Sequence, residues 1–250
     1  MIFFQLVQLL NIYYVGHAGD TNLLAGVGLG NMLLNVCCFA VAQGLNGAIE
    51  TFVSQSFGAG DYRMCGVYLN RARVIVSLVL LPVCVMFFYT DRILIAIHQD
   101  ETISTMARNY CVWCLPGVFA LVQFDSTKRY LQSMLKSQIS TYTQITTTII
   151  HIGWCQLYIK HLNLEVLGAA LALNTTYILN FLIQEFYIRV IKRADFEKVR
   201  APFFTKTTFE GWWNFLKLGI PSTAMMCFEW WAFEFLAIFA GYLGVSELSA

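Results

Sequence analysis

Residues 219–234 read GIPSTAMMCFEWWAFE. They lie in an apolar run from Leu218 to Leu248 whose charged residues are Glu229, Glu234 and Glu247, with no lysine or arginine. Such a run exceeds the about 20 residues a helix needs to cross a bilayer. Two carboxylates near its middle, beside Trp230 and Trp231, therefore need a physical reason. Glu229 follows Trp213 at a distance along a helix of about 24 Å, which places it deep in a membrane. An ionised carboxylate facing lipid costs about 2.5 kcal/mol or more. Glu229 is expected to face a bundle interior or a wet cavity instead.

The rest of the chain has the same character. Charged residues make up 12% of the 250 residues, against about 25% in a soluble domain. That deficit selects an integral membrane protein. Seven apolar stretches qualify as spans: residues 2–15, 23–48, 74–89, 107–124, 139–159, 166–187 and 213–243. None alternates with a period of two, so helices are expected and a barrel is not. Thirteen lysines and arginines fall in or beside the loops between spans 2 and 3, 4 and 5, and 6 and 7, against three on the other side. By the positive-inside rule those loops and the N-terminus are cytoplasmic. A seven-helix receptor has the opposite orientation and is disfavoured.

The exits of spans 1 and 7 share a pattern. Gly16, Gly19, Leu23 and Ala25 align with Gly241, Gly244, Leu248 and Ala250 at a constant offset. Internal repeats on this scale are a transporter habit. The fold class expected is an all-α integral membrane protein: a six-helix transmembrane bundle plus the first helix of a second, part of a twelve-span transporter. The divisions are 1–190 for the first lobe, 191–212 for a cytoplasmic linker and 213–250 for span 7. The linker is expected to be partly amphipathic and in contact with anionic lipid.

Several motifs then resemble one family. Residues 43–61, QGLNGAIETFVSQSFGAGD, are similar to the second-span exit of eukaryotic multidrug and toxic compound extrusion (MATE) transporters. Pro116-Gly117, the stretch Arg129-Tyr130-Leu131-Gln132 and residues 167–172, LGAALA, resemble fourth- and sixth-span elements of that family. Residues 219–234 resemble its seventh-span motif most closely. The stretch 137–142 departs from the pattern in lacking a proline. The resemblance implies a secondary antiporter in which two lobes rock about a central cavity. It would exchange protons, or sodium, for organic cations or amphipathic metabolites.

The residues themselves suggest how. Burial disfavours a charged carboxylate, so a carboxylate in such a place can take up and release a proton during a cycle. Deprotonated, Glu229 would attract a cation; protonated, it would not. Glu234 lies about 140° further round the helix and is expected to meet a different partner, as a second ion-coupling or substrate-cation residue. Aromatic faces attract organic cations, and flexible methionines suit promiscuous surfaces. Met225, Met226, Trp230, Trp231 and Phe233 are thus candidate lining residues, against ordinary packing for each. Gln43, Asn46 and Glu50 form a polar stripe on span 2, and Asn174, Tyr177 and Asn180 another on span 6, and both sets are candidate cavity-lining residues. Asn174-Thr175-Thr176 is a sequon inside a span, expected to be a packed polar triplet. His151 is expected to be a satisfied core histidine.

Enzymatic readings find no support. There is no phosphate-binding G-x-x-x-x-G-K-[ST], no H-E-x-x-H and no nucleophile elbow. The eight cysteines fall mostly in apolar segments and read as small hydrophobes rather than disulfides or metal ligands. No metal, cofactor or nucleic-acid partner is expected; the partners expected are the lipid bilayer, the small-molecule substrate and the coupling ion, at the plasma membrane or an organellar one. The alternatives are a lipid-linked precursor flippase of the same superfamily and a non-transporting fragment.

Overall fold

The structure is a computed structural model. It describes all residues except 1, 18–19, 193–195, 200, 204 and 244–250, and excludes the side chains of 233–243. The second copy of the glycine repeat, at 240–250, thus lies outside the described residues or side chains.

The chain forms long helices and, among the described residues, no strand. They are α1 (Ile2–Gly16), α2 (Thr21–Gly58), α3 (Tyr62–Phe87), a short α4 (Thr90–Ala96) and α5 (Glu101–Ser133). After these come α6 (Gln138–Cys155), α7 (Glu165–Ile191), a one-turn α8 (Lys206–Phe209) and α9 (Trp212–Leu243). α2 contains a π-helical turn at Asn35–Phe39, and α6 runs on into another at Gln156–His161. The helices of α2, α3 and α7 are long and apolar enough to cross a membrane by composition; α1 is apolar but shorter.

Aspartates start three of the helices. Asp20 Oδ1 accepts from the N–H groups of Asn22 (2.8 Å) and Leu23 (3.3 Å). Asp61 accepts from Met64 N (3.3 Å), and Asp100 from Thr102 N (2.8 Å) and Ile103 N (3.1 Å). These side chains satisfy N–H groups that the first turn leaves open. Asp61 also moves the start of α3 well before the apolar stretch that begins at Val74. Arg71 and Arg73, placed by sequence at a loop flank, are therefore helical, and both are buried.

The polar content of α6 is absorbed locally. Thr143, Thr146, Thr147 and Thr148 each donate a hydroxyl to the carbonyl four residues earlier, at 2.7–3.0 Å. Helices α1, α2, α3, α5, α6 and α7 enclose one apolar core, which includes Val27, Leu34, Leu80, Phe124, Leu173 and Cys155. Tyr110 ties three of them: its hydroxyl donates to Asn31 Oδ1 (2.8 Å) and accepts from Asn11 Nδ2 (3.4 Å). A second core, with Ile49, Ile75, Leu131 and Phe215, fills the end of the bundle that carries most of the basic residues. The linker between α7 and α9 folds onto that end, with Phe196, Val199 and Thr208 buried.

Candidate functional site

α9 lies against α2 along a seam of small residues. A Cβ added to Gly44 would collide with the backbone of Thr223, and one added to Gly47 with Ser222 Oγ. Gly219 on α9 completes the pattern, with its Cβ position 3.3 Å from Leu45 Cδ2. Small residues let membrane helices approach closely and gain dispersion contacts where lipid supplies no hydrophobic drive. Phe215, fully buried near the start of α9, stacks on Phe52 of α2 (5.9 Å).

Further along α9 the exposure rises. Glu229 is exposed, as are Met225, Phe228 and Trp231, whereas Met226 and Trp230 are half-buried. Phe228 meets Trp231 edge to face at 6.4 Å. Seven residues separate Ser222 from Glu229, close to two turns, so Glu229 leaves the helix in nearly the direction that faces α2 at the seam. The side chains of Phe233 and Glu234 lie outside the described residues.

The stripe on α2 is used differently by each member. Asn46 is fully buried inside the lobe, so it does not line an open wall as expected; Nδ2 donates to Asp125 Oδ2 (3.1 Å) and Oδ1 accepts from Ser126 Oγ (2.9 Å). Asp125 in turn holds Arg129 Nε (3.0 Å) and Lys128 Nζ (3.6 Å), and Arg129 Nη1 reaches Glu50 Oε1 (2.7 Å). Gln43 edges a small cavity with Asp125, Lys128 and Gln144. The expected polar stripe is thus one side of a charged cluster joining α2 to α5. Sequence reasoning passed over Asp125; the i,i+4 spacing of Asp125 and Arg129 was the available signal.

The set on α7 is buried within the lobe, where Asn174 and Asn180 are hydrogen-bonded and, among the described residues, the Tyr177 hydroxyl is not. Asn174 Oδ1 accepts from Gly117 N (2.8 Å) and its Nδ2 donates to Trp113 O (2.6 Å). Asn180 Oδ1 accepts from Thr147 Oγ1 (2.8 Å). Tyr177 is buried, its ring stacked with Phe4 at 6.3 Å. His151 is buried between Thr176 Oγ1 (2.8 Å) and Cys155 Sγ (3.3 Å). Cys111 and Cys114 are buried free thiols in α5. No group of three or more His, Cys, Asp or Glu side chains able to hold a metal occurs among the described residues.

A second cross-helix pair was not anticipated from the sequence. Arg73 on α3 forms an ion pair with Glu185 on α7 and donates to Thr127 Oγ1 on α5 (2.5 Å). Glu185 also takes Arg189 Nε (2.7 Å).

Comparison with known proteins agrees with this architecture. The family model described as MatE matches residues 1–157. The chain belongs to the MatE family. It is 30% identical to Protein DETOXIFICATION 9 of Arabidopsis thaliana over 97% of its length, and 31% identical to Protein DETOXIFICATION 14 over 98%. It covers 50% of each of them, so the chain spans about half the length of these curated relatives. The crystal structure of the eukaryotic MATE transporter AtDTX14 superposes with a TM-score of 0.87 at 30% identity, over 97% of this chain and 53% of that one. The same fold recurs at 18% identity in an outward-facing multidrug resistance MATE transporter of the MOP superfamily, with a TM-score of 0.76 over 90% of this chain. This MatE chain is thus an all-α membrane protein whose described helices match those of a MATE transporter.

Proposed function

We propose that this chain supplies the first lobe and the opening helix of the second in a secondary antiporter. The antiporter exports organic cations or related amphipathic metabolites in exchange for protons or sodium. In this reading the basic end is cytoplasmic, residues 1–190 form the first lobe, 191–212 the linker, and α9 begins the second lobe.

The observation that carries the reading is the arrangement along α9. The helix is clamped to α2 by Gly44 and Gly47 near the basic end, and it presents Glu229 on an exposed stretch beyond that clamp. A seam that closes one end while a carboxylate stands open beyond it suits alternating access. The cations of the lobe support cargo of positive charge. Arg73 and Arg129 are both paired with carboxylates at the basic end. Neither is offered to a central cavity, as a carrier of anionic lipid precursors would need.

The test is efflux of a fluorescent organic cation from vesicles carrying a two-lobe antiporter that contains this chain, with an imposed proton or sodium gradient. Gradient-driven efflux that disappears in Glu229→Gln at normal membrane level supports the reading. Efflux unchanged in Glu229→Gln, or no gradient-driven efflux at all, overturns it.

A further inference from the structure

A cavity of about 180 Å³ lies at the basic end, between the linker and helices α3, α5 and α7. Its polar wall is made by Asn70, Arg73, Tyr130, Glu185 and Arg189, and its apolar wall includes Phe196. The linker is tied over it. Asn70 Nδ2 donates to Ala201 O (3.1 Å) and Pro202 O (3.2 Å), and Tyr130 OH donates to Val199 O (3.3 Å). Gly66 permits this roof, since a Cβ there would strike Val199 O and Ala201 N.

The charges in the cavity do not balance. Two guanidinium groups, Arg73 and Arg189, share the single carboxylate of Glu185. Arg73 is 8% exposed, and its Nε is buried with no hydrogen-bond partner among the described residues. A buried donor left unsatisfied costs about 1–3 kcal/mol, and more for a charged group. Arg189 spends its Nε on Glu185 while its side chain remains 54% exposed, at the mouth. An anion between the two arginines would supply the missing acceptor and cancel the excess charge.

Size narrows the class. At roughly 30 Å³ per water, the space holds about six waters. It falls below the ~300 Å³ at which drug-sized pockets begin. A tetrahedral oxyanion fits, and guanidinium groups bind phosphate oxygens through paired N–H donors. The apolar side, with Leu69, Ile188 and Phe196, would take the carbon stem of an ester. Basic pockets between helices on the cytoplasmic side are where phosphorylated headgroups bind.

We propose that this cavity is a binding site for the phosphate group of an anionic ester, held between Arg73 and Arg189 beneath the linker. The site lies apart from Glu229 and takes from the transport reading only that the basic end is cytoplasmic. The phosphate has two sources to be told apart, the headgroup of a phosphoinositide in the adjoining leaflet and free phosphate in solution.

The experiment uses the purified full chain in detergent. Binding of short-chain phosphatidylinositol 4-phosphate and of inorganic phosphate is measured by titration, and amide exchange over 196–203 is followed with each. Arg189→Gln is the test variant, since Arg73→Gln would strip Glu185 of a buried partner and risk the fold. Lys206→Gln is the control, an exposed cation outside the cavity whose partner is Glu210. The site predicts at least tenfold weaker binding in Arg189→Gln, no more than a twofold change in Lys206→Gln, and slower exchange over 196–203 with ligand. Binding of the lipid alone assigns the membrane source, and comparable binding of inorganic phosphate assigns the soluble one. Absence of binding by both probes, equal losses in both variants, or unchanged exchange over 196–203 overturns the proposal.

Discussion

Asn174 lies against Gly117 with its side-chain amide inserted where α5 has a turn to repair. Gly117 N–H and Trp113 C=O, which a regular helix would pair with each other, are bonded to Asn174 Oδ1 and Nδ2 at 2.8 and 2.6 Å. Pro116 sits between them, lacking an N–H and crowding the preceding turn. One amide from α7 therefore serves as the bridge, and Gly117 has no Cβ because Asn174 occupies that space. Asn174 of the sequon is thus packed between α5 and α7, in keeping with the polar triplet expected from the sequence.

Removing that bridge should cost stability. Asn174→Ala leaves a buried donor and a buried acceptor open, at about 1–3 kcal/mol each. Thr175→Ala removes only a bond to Leu171 O in its own helix and should change little. Thermal unfolding in detergent is the measurement, and equal melting temperatures for the two variants would contradict the assignment.

The seam between α2 and α9 should be trapped by a disulfide. A Cβ on Gly47 would lie 3.5 Å from Ser222 Cβ, at the edge of the range a disulfide spans. Gly47→Cys with Ser222→Cys should cross-link on mild oxidation and arrest efflux until reduced. Adding Gly44→Leu should push the helices apart and suppress the cross-link. Mobility on a non-reducing gel reports both.

The cluster around Asp125 should respond unevenly. Arg129 and Asp125 are mostly buried, with side chains 13% and 14% exposed, whereas Glu50 is 51% exposed. Breaking a buried pair by removing one partner costs about 3–5 kcal/mol, and an exposed pair about 0–1 kcal/mol. Arg129→Gln should therefore lower the melting temperature far more than Glu50→Gln. Asp125→Asn combined with Arg129→Gln should recover much of the loss, and a double variant worse than Arg129→Gln alone would argue against direct coupling.

Asn70 should govern access to the linker. Its amide holds Ala201 O and Pro202 O, so Asn70→Ala frees the segment beside Lys198, which is exposed. Limited trypsin digestion should cut there several-fold faster in the variant. An unchanged rate would mean that the buried side chains Phe196 and Val199 alone hold the linker down.

Much of the helical layout was legible before any coordinates, because lipid leaves its mark residue by residue. The stretch from Val166 to Tyr187 became the body of α7, and residues 213–243 became α9 almost to the residue. Helix starts were less legible. The apolar run alone placed the third helix at Val74, but Asp61 caps it at Tyr62 and carries two arginines into the interior. The candidate site was read in half. Glu229 and its aromatic neighbours stood out by contrast with their surroundings, whereas Asp125 lay among other polar residues and Glu185 stood at the end of an apolar span, each with only i,i+4 spacing to an arginine as a sign of pairing.

The sequence by itself determined the class of this protein and its helical layout. Apolar length and internally satisfied backbone groups are properties of consecutive residues, and a bilayer demands both. Its motifs also point to the MatE family. Only the tertiary structure decided which polar groups meet. Asn46 and Asp125 are 79 residues apart, and Arg73 and Glu185 are 112 apart. Helical rotation and the close approach at Gly44, Gly47 and Gly117 bring such groups together or hold them apart. The physical reason is that a charge inside a membrane protein is tolerable only beside its partner, and the partner is set by packing between helices that a linear pattern does not encode.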